Sequence, residues 1–292
     1  MEEVLGVIGG TGLYEVGGLD QVERVRASTP YGEPSDELVS ARFQSSGARV
    51  LFLPRHGRGH RIPPHAINYR ANVCALKKLG ATQILSVSAV GSMQEHIAPG
   101  DVVVVDQFID LTRRRIGTFF EPEAAAHVAF AEPICPLLAE AVHGAAKQCA
   151  AAGEAPGAVH RGGTYLCIEG PQFSTRAESR LYRSWNVDVI GMTNMPEAKL
   201  AREAELPYAT LALATDYDCW HAGEEAVDVE AILARLASLV ELAKRVVLRL
   251  GEKLPALDTS PARTALRGAV MTAVDCMTAR TRADLSWVLP GA

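Results

Sequence analysis

Apolar residues along this chain fall into short unbroken runs that alternate with stretches spaced for helices. Val4–Ile8 reads as a buried strand that breaks at Gly9-Gly10-Thr11-Gly12, and Val50–Leu53 as a second, leading into the polar loop Pro54–His60. Runs of this length suit strands covered on both faces. Ile84–Val90 and Val102–Ile109 are β-rich, with a Pro99-Gly100 turn between them. Thr164–Ile168, Val187–Ile190 and the run from Tyr208 to Ala214 complete the strands. Helical spacing marks residues 66–79 (Ile67, Ala71, Val73, Leu76, Leu79), which stop at Gly80, a suitable left-handed cap. Residues 136–151, Arg176–Ser184 and Pro196–Glu205 also read as helices, and 153–163 as a connection. Val229, Ile232, Leu233, Leu236, Leu239, Val240, Ala243 and Val247 mark an amphipathic helix. A final helix is expected from Ser260-Pro261, with Ser as N-cap and Pro at N1, carrying Leu266, Val270, Val274 and Met277.

Strands and helices that alternate in this way predict an α/β domain over residues 1–250. Gly251 and Pro255 suggest a short linker into a C-terminal arm, 251–292, that packs on the same domain. Hydrophobic residues make up 48% of the chain and charged ones 22%, the balance of a globular protein rather than a disordered one. A net charge of −5 offers no basic field for nucleic acid or anionic lipid. Six cysteines without a CxxC pair read as reduced thiols, hence a cytoplasmic protein. The start, Met1-Glu-Glu-Val-Leu-Gly, lacks the basic region of a signal peptide, and no apolar run is long enough to span a bilayer.

The chemistry gathers at strand ends. Asp216 and Asp218 follow the run that closes at Ala214; strand alternation would point both the same way. Such a pair fits a divalent-metal site, a solvated turn, or an acid and an acceptor for a nitrogenous ligand. Gly9-Gly10-Thr11-Gly12 exposes amides and a hydroxyl to an anion, but lacks the third glycine of a dinucleotide fingerprint. Arg55-His56-Gly57 supplies a phosphate fork and a titratable ring, and taken alone also matches the histidine phosphatases. Ser88-Ala89-Val90-Gly91-Ser92 closes a strand with a hydroxyl and amides suited to an anion or a sugar. Phe173, in the loop Glu169–Ser174, offers a face for a planar ring, and Thr193 stands where a helix N-terminus favours anions.

Taken in order, Val7–Gly12, Arg55-His56-Gly57, Asp106–Asp110, Glu169-Gly170-Pro171, Met192-Thr193 and Ala214–Trp220 resemble the trimeric purine nucleoside phosphorylase family, and within it the 5′-methylthioadenosine phosphorylases. The resemblance implies a nucleoside phosphorylase fold, a central mixed β-sheet (distorted barrel) flanked by helices, in a single domain with a C-terminal helical arm. It implies phosphorolysis of a purine nucleoside, with inorganic phosphate as co-substrate, no metal or organic cofactor, no nucleic-acid or membrane partner, and a homotrimer or dimer of trimers. Phosphate would be held by Thr11, Arg55, His56, Ser88, Ala89 and Thr193. Met192 would lie along the sugar, and Phe173 and Ser174 against the base. Asp216 would donate to N7 and Asp218 accept from the 6-amino group. Val229 and Ile232 would contact a 5′-methylthio group, with His127 and Val288 arriving from a neighbouring subunit. Relatives acting on 6-oxopurines typically carry Glu after the loop Phe and Asn at the base-reading position; Ser174 and Asp216 here imply a 6-aminopurine. A sister specificity for adenosine, inosine or methylthioinosine is the alternative, and a nucleotide-binding regulator is the non-enzymatic one. Three departures stand out: Ser88 where Thr is frequent, Gln172 where Arg is common, and Gly191 where Asn is common.

Overall fold

The computed structural model describes residues 2–10, 13, 16–221 and 229–289, with the backbone alone over 229–233. Four parallel strands form the frame of its sheet: β1 (Val4–Gly9), β4 (Arg49–Pro54), β5 (Gln83–Ser92) and β11 (Tyr208–Asp216). Their carboxyl ends share one edge, so Gly10, Arg55-His56 and Asp216 arrive together although they lie far apart in sequence. Outside this frame, β2 (Leu19–Val25) and β3 (Leu38–Phe43) extend one side, antiparallel, beyond β4. The sheet forks at β5. One branch runs through β10 (Val189–Gly191) and β9 (Thr164–Cys167) to β7 (Gln107–Asp110), the other through β11 and β6 (Val102–Val104) to β8 (Val159–Arg161).

Among the described residues the result is an eleven-stranded mixed sheet that does not close, so the expected distorted barrel becomes an open, forked sheet. The same residues form six α-helices that flank it: α1 (Tyr69–Lys78), α2 (Pro136–Ala151), α3 (Arg176–Ser184), α4 (Asn194–Glu203), α5 (Val229–Glu252) and α6 (Ala279–Leu285). None of the described helices is long and apolar enough to cross a membrane.

Two expectations change. The run Val102–Ile109 is two strands, because the chain changes partners at Asp106. There the amides of Asp106 and Gln107 both turn to the carbonyl of Gly163, and the Asp106 carboxylate accepts from the Gly163 amide. The long final helix is absent. Ser260 does cap, accepting from the Ala262 amide, but only a 3₁₀ turn follows, Pro261–Thr264. Gly268 then takes φ +73°, and the segment beyond it pairs with residues 125–127 through Met271 N–H to Ala125 O and His127 N–H to Ala269 O. A tertiary bridge wins over local helical spacing. Leu257, Leu266, Met277, Leu285 and Val288 of this segment nevertheless enter the same core cluster as β1 and β5.

Candidate active site

A cavity of about 590 Å³ opens at the shared edge of the parallel strands. Arg55, His56, Ser88, Ala89 and Thr193 line it, as do Phe173, Ser174, Met192, Asp216 and Asp218. Thr11 lies outside the described residues, as do the side chains of Val229 and Ile232. Leu236 and Val240, one and two turns beyond Ile232 on α5, do line the cavity. His127 and Val288 are not among its lining residues. His127 is exposed, its amide tied to Ala269. Val288 is 5% exposed and packed into its own chain's core, so it has little side chain left for the expected reach into a neighbour.

Arg55 departs most from the expectation of a free phosphate fork. Its guanidinium is 2% exposed and pairs bidentately with Glu197, Nε to Oε2 at 2.8 Å and Nη2 to Oε1 at 3.1 Å. Nη1 donates to the Val87 carbonyl and Nη2 to Ser86 Oγ. Tyr208 Oη completes the Glu197 carboxylate at 2.9 Å. Burial is the largest single influence on the Arg55 pKa and lowers it, but the Glu197 charge and its hydrogen bonds together outweigh burial and hold the value up. Arg55 therefore brings to the cavity wall a charge already balanced from behind.

His56 is neutral. Burial, then the adjacent Arg55 charge, push its imidazole down to about 4. Nδ1 lies 2.8 Å from the Ile62 carbonyl, which can only accept, so Nδ1 carries the proton and Nε2 is left as an acceptor. The ring stacks on His60 at 4.1 Å, and His60 also lines the cavity.

Ser88 and Thr193 meet through the antiparallel pairing of β5 and β10. Val189 opposes Ser92 and Ile190 opposes Gly91; the same register carried on sets Thr193 opposite Ser88. Their hydroxyl oxygens are 3.0 Å apart.

The carboxylates come together differently from the expected strand alternation. A bulge falls between Ala214 and Asp216, the strand ends at Asp216, and Asp218 sits in a turn at φ +53°. Asp216 accepts from the Thr215 hydroxyl at 2.7 Å and from the Asp218 amide at 2.8 Å. Asp218 accepts from Ser179 Oγ at 2.5 Å. Burial raises the Asp218 pKa; the Ser179 hydrogen bond opposes this and the Asp216 charge adds to it. Gly91 makes room: a Cβ there would stand 3.0 Å from Asp216 Oδ1. Ser174 Oγ is buried with no hydrogen-bond partner among the described residues, and Phe173 is 71% exposed while lining the cavity. Among the described residues there is no group of three or more His, Cys, Asp or Glu side chains arranged to hold a metal.

Sequence reasoning missed the supports. Glu197 follows Met195-Pro196 at the start of α4 with Asn194 and Lys199 close by, so nothing in the local sequence sets it apart. Arg115 hides in the run Arg113-Arg114-Arg115, which reads as solvated. Its guanidinium is buried and donates to the Met192, Met195 and Glu169 carbonyls.

Hydroxyls, a buried guanidinium and a carboxylate pair thus share one cavity at the carboxyl edge of a forked α/β sheet. The sequence profile of the phosphorylase superfamily matches residues 4–251, and the chain belongs to that family. It is 51% identical over 290 residues to the S-methyl-5′-thioadenosine phosphorylase of Geobacter sulfurreducens, covering 99% of each chain. Among solved structures it superposes on a methylthioadenosine phosphorylase sourced from an antarctic soil metagenomic library with a TM-score of 0.91, at 47% identity, covering 99% of this chain and 100% of that one. On the Schistosoma mansoni methylthioadenosine phosphorylase in complex with adenine the TM-score is 0.84, at 35% identity, covering 92% and 99%.

Proposed function

We propose that the chain cleaves 5′-methylthioadenosine with inorganic phosphate, giving adenine and 5-methylthioribose 1-phosphate. The observation that carries this reading is one cavity whose wall holds the Ser88 and Thr193 hydroxyls, the counter-charged Arg55 guanidinium, a neutral histidine and a half-buried carboxylate pair. The relatives at 51% and 47% identity carry the same activity in their names.

Phosphate is held by the Ser88 and Thr193 hydroxyls, the Ala89 amide and the field of Arg55. Thr11 contributes a further hydroxyl. Neutral His56 presents Nε2 as an acceptor, which suits the remaining P–OH of a monoprotonated phosphate. A phosphate oxygen forms the bond to C1′ as the bond from C1′ to the base breaks, and the electron pair leaves with the base. The base leaves well only if N7 receives a proton. Asp216 stands at N7 and Asp218 at the 6-amino group. Burial, with the Asp216 charge adding to it, pushes the Asp218 carboxyl up. Phe173 flanks the base, Ser174 Oγ finds its missing partner there, and Met192 lies along the sugar. An apolar wall from α5, including Leu236 and Val240, favours a thioether over a 5′-hydroxyl left without partners.

The family resemblance implies a homotrimer, in which exposed Phe173 and His127 would be covered at a subunit boundary; sedimentation or light scattering reads the oligomeric state directly. The test of function is adenine release from 5′-methylthioadenosine with and without phosphate, run beside adenosine, inosine and methylthioinosine. Release that ignores phosphate would sink the phosphorylase reading. Equal or faster turnover of inosine would sink the 6-aminopurine assignment alone.

A further inference from the structure

Tyr165 is fully buried on β9 and does not line the cavity, yet its hydroxyl stands behind two that do. Tyr165 Oη lies 3.2 Å from Ser88 Oγ and 3.5 Å from the Thr193 amide. The amide can only donate, so Oη accepts there and spends its own proton on Ser88 Oγ. Burial pushes the phenol up to about 12, which keeps that proton in place. Ser88 Oγ, already accepting, has its own proton for Thr193 Oγ1 at 3.0 Å, for the Ala89 carbonyl at a longer 3.4 Å, or for the cavity. Thr193 Oγ1 is then left to donate forward as well. A hydroxyl can accept or donate toward an anion's position, and only donation binds an anion.

The backbone makes space for this chain of donors. Parallel pairing sets Tyr165 opposite Val189 and Cys167 opposite Gly191, so the ring crosses Gly191 to reach Thr193. A Cβ at Gly191 would overlap the phenol oxygen. Tyr165 and Gly191 are therefore a matched pair, which accounts for glycine where the family commonly has Asn.

We propose that Tyr165 is a positioning residue for phosphate, setting the Ser88 and Thr193 hydroxyls as donors to the anion. The proposal rests on the reading of Ser88 and Thr193 as phosphate ligands. The test is Tyr165→Phe, which keeps the ring and removes only the hydroxyl. The KM for phosphate should rise roughly tenfold, the scale of one lost hydrogen bond to an anion-binding group, while kcat at saturating phosphate and the KM for the nucleoside move less than about twofold. Inorganic phosphate should also raise the thermal midpoint of Tyr165→Phe less than that of the unaltered chain. Gly191→Ala, whose methyl displaces the phenol, should show the same rise in phosphate KM and serves if Tyr165→Phe does not fold. An unchanged phosphate KM, or proportional changes in all three constants, overturns the proposal. Ser88→Ala and Thr193→Ala separate its failure from that of the underlying reading. If they leave the phosphate KM unchanged, phosphate does not bind there; if they raise it while Tyr165→Phe does not, only the role of Tyr165 falls.

Discussion

On the proposed reading, the phosphate end and the base end of the cavity are built on opposite plans. At the phosphate end Arg55 is 2% exposed, and its charge, Glu197, Tyr208, Ser86, Tyr165, Ser88 and Thr193 form hydrogen-bonded groups set deep in the sheet. At the base end Phe173 is 71% exposed, Asp218 sits in a turn at φ +53°, and Ser174 Oγ lacks a partner among the described residues. The difference follows the chemistry each end performs. Phosphate must be met by donors fixed before it arrives, because reorganising them would cost part of what they stabilise. The base must enter, take a proton and leave, so its contacts ride on turns beyond the strands. Pre-organisation here is a property of depth in the sheet.

The sharpest way to break this comparison is at the base end. Asp216→Asn should cost on the order of 10²–10⁴ in turnover of the adenine nucleoside and shift relative preference toward 6-oxopurines, whose O6 an amide N–H₂ can meet. Steady-state kinetics on paired nucleosides decides it; unchanged rates and preference would leave the base end without its acid. Asp218 adds a signature in stability. Its folded pKa is raised, chiefly by burial, so as pH rises the unfolded chain gives up this proton first and the folded state loses stability until the raised value is passed. Asp218→Asn should flatten that acid-side slope in urea denaturation.

At the phosphate end the expected damage is to stability. Glu197→Ala leaves a buried guanidinium without its counter-charge, at a cost of about 3–5 kcal/mol. Urea titration measures it. A loss below about 1 kcal/mol would mean that Arg55 is neutralised elsewhere and that this end is less pre-built than it looks.

How much of this was legible beforehand depends on where the information lies. The frame strands are continuous apolar runs, and α2 and α3 carry their bounds in local spacing, so the sequence places them where the structure has them. β2 was not legible, because its interior residues are exposed and polar but for Val22, itself exposed, with no alternation to mark a face. The final helix was misread because spacing cannot see the Ala126–Val270 bridge. In the site, residues at strand ends announce themselves as polar interruptions of apolar runs, as Arg55, Ser88 and Asp216 do. Their supports do not. Tyr165 looks like any core aromatic and Arg115 like any surface cation, since what they do is set by partners more than 20 residues away. The convergence of Asp216 and Asp218 was expected for the wrong reason: a bulge and a left-handed turn bring them together, not alternation.

His56 offers a milder perturbation of the phosphate end. Its folded pKa is pushed down from 6.5 to about 4. Between these values the unfolded chain binds a proton that the folded chain refuses. Stability is therefore full above 6.5 and falls as pH drops toward 4, by roughly 3 kcal/mol in all. His56→Gln should remove this part of the acid slope, read as the difference in urea midpoints between neutral and acidic pH. An identical slope in the variant would show that the imidazole is not held neutral.

The smallest effect should come from Arg115, and it tests whether the base end is loose throughout or only at its tip. Arg115 Nη1 donates to the Met192 and Met195 carbonyls at 2.7 and 2.6 Å, and Nη2 to the Glu169 carbonyl at 2.7 Å. One guanidinium thus joins the chain leaving β9, which carries Phe173 four residues past Glu169, to the chain leaving β10, which carries Met192. A lysine has the charge but not the fork, so Arg115→Lys can satisfy only part of this set. We expect a loss of about 1–2 kcal/mol in stability, and a rise of a few fold in the KM for the nucleoside, with the phosphate KM unmoved. That split would make the base end a stapled root with an exposed tip. A rise in both KM values together would mean that the two ends share one support, and that their contrast lies in exposure alone.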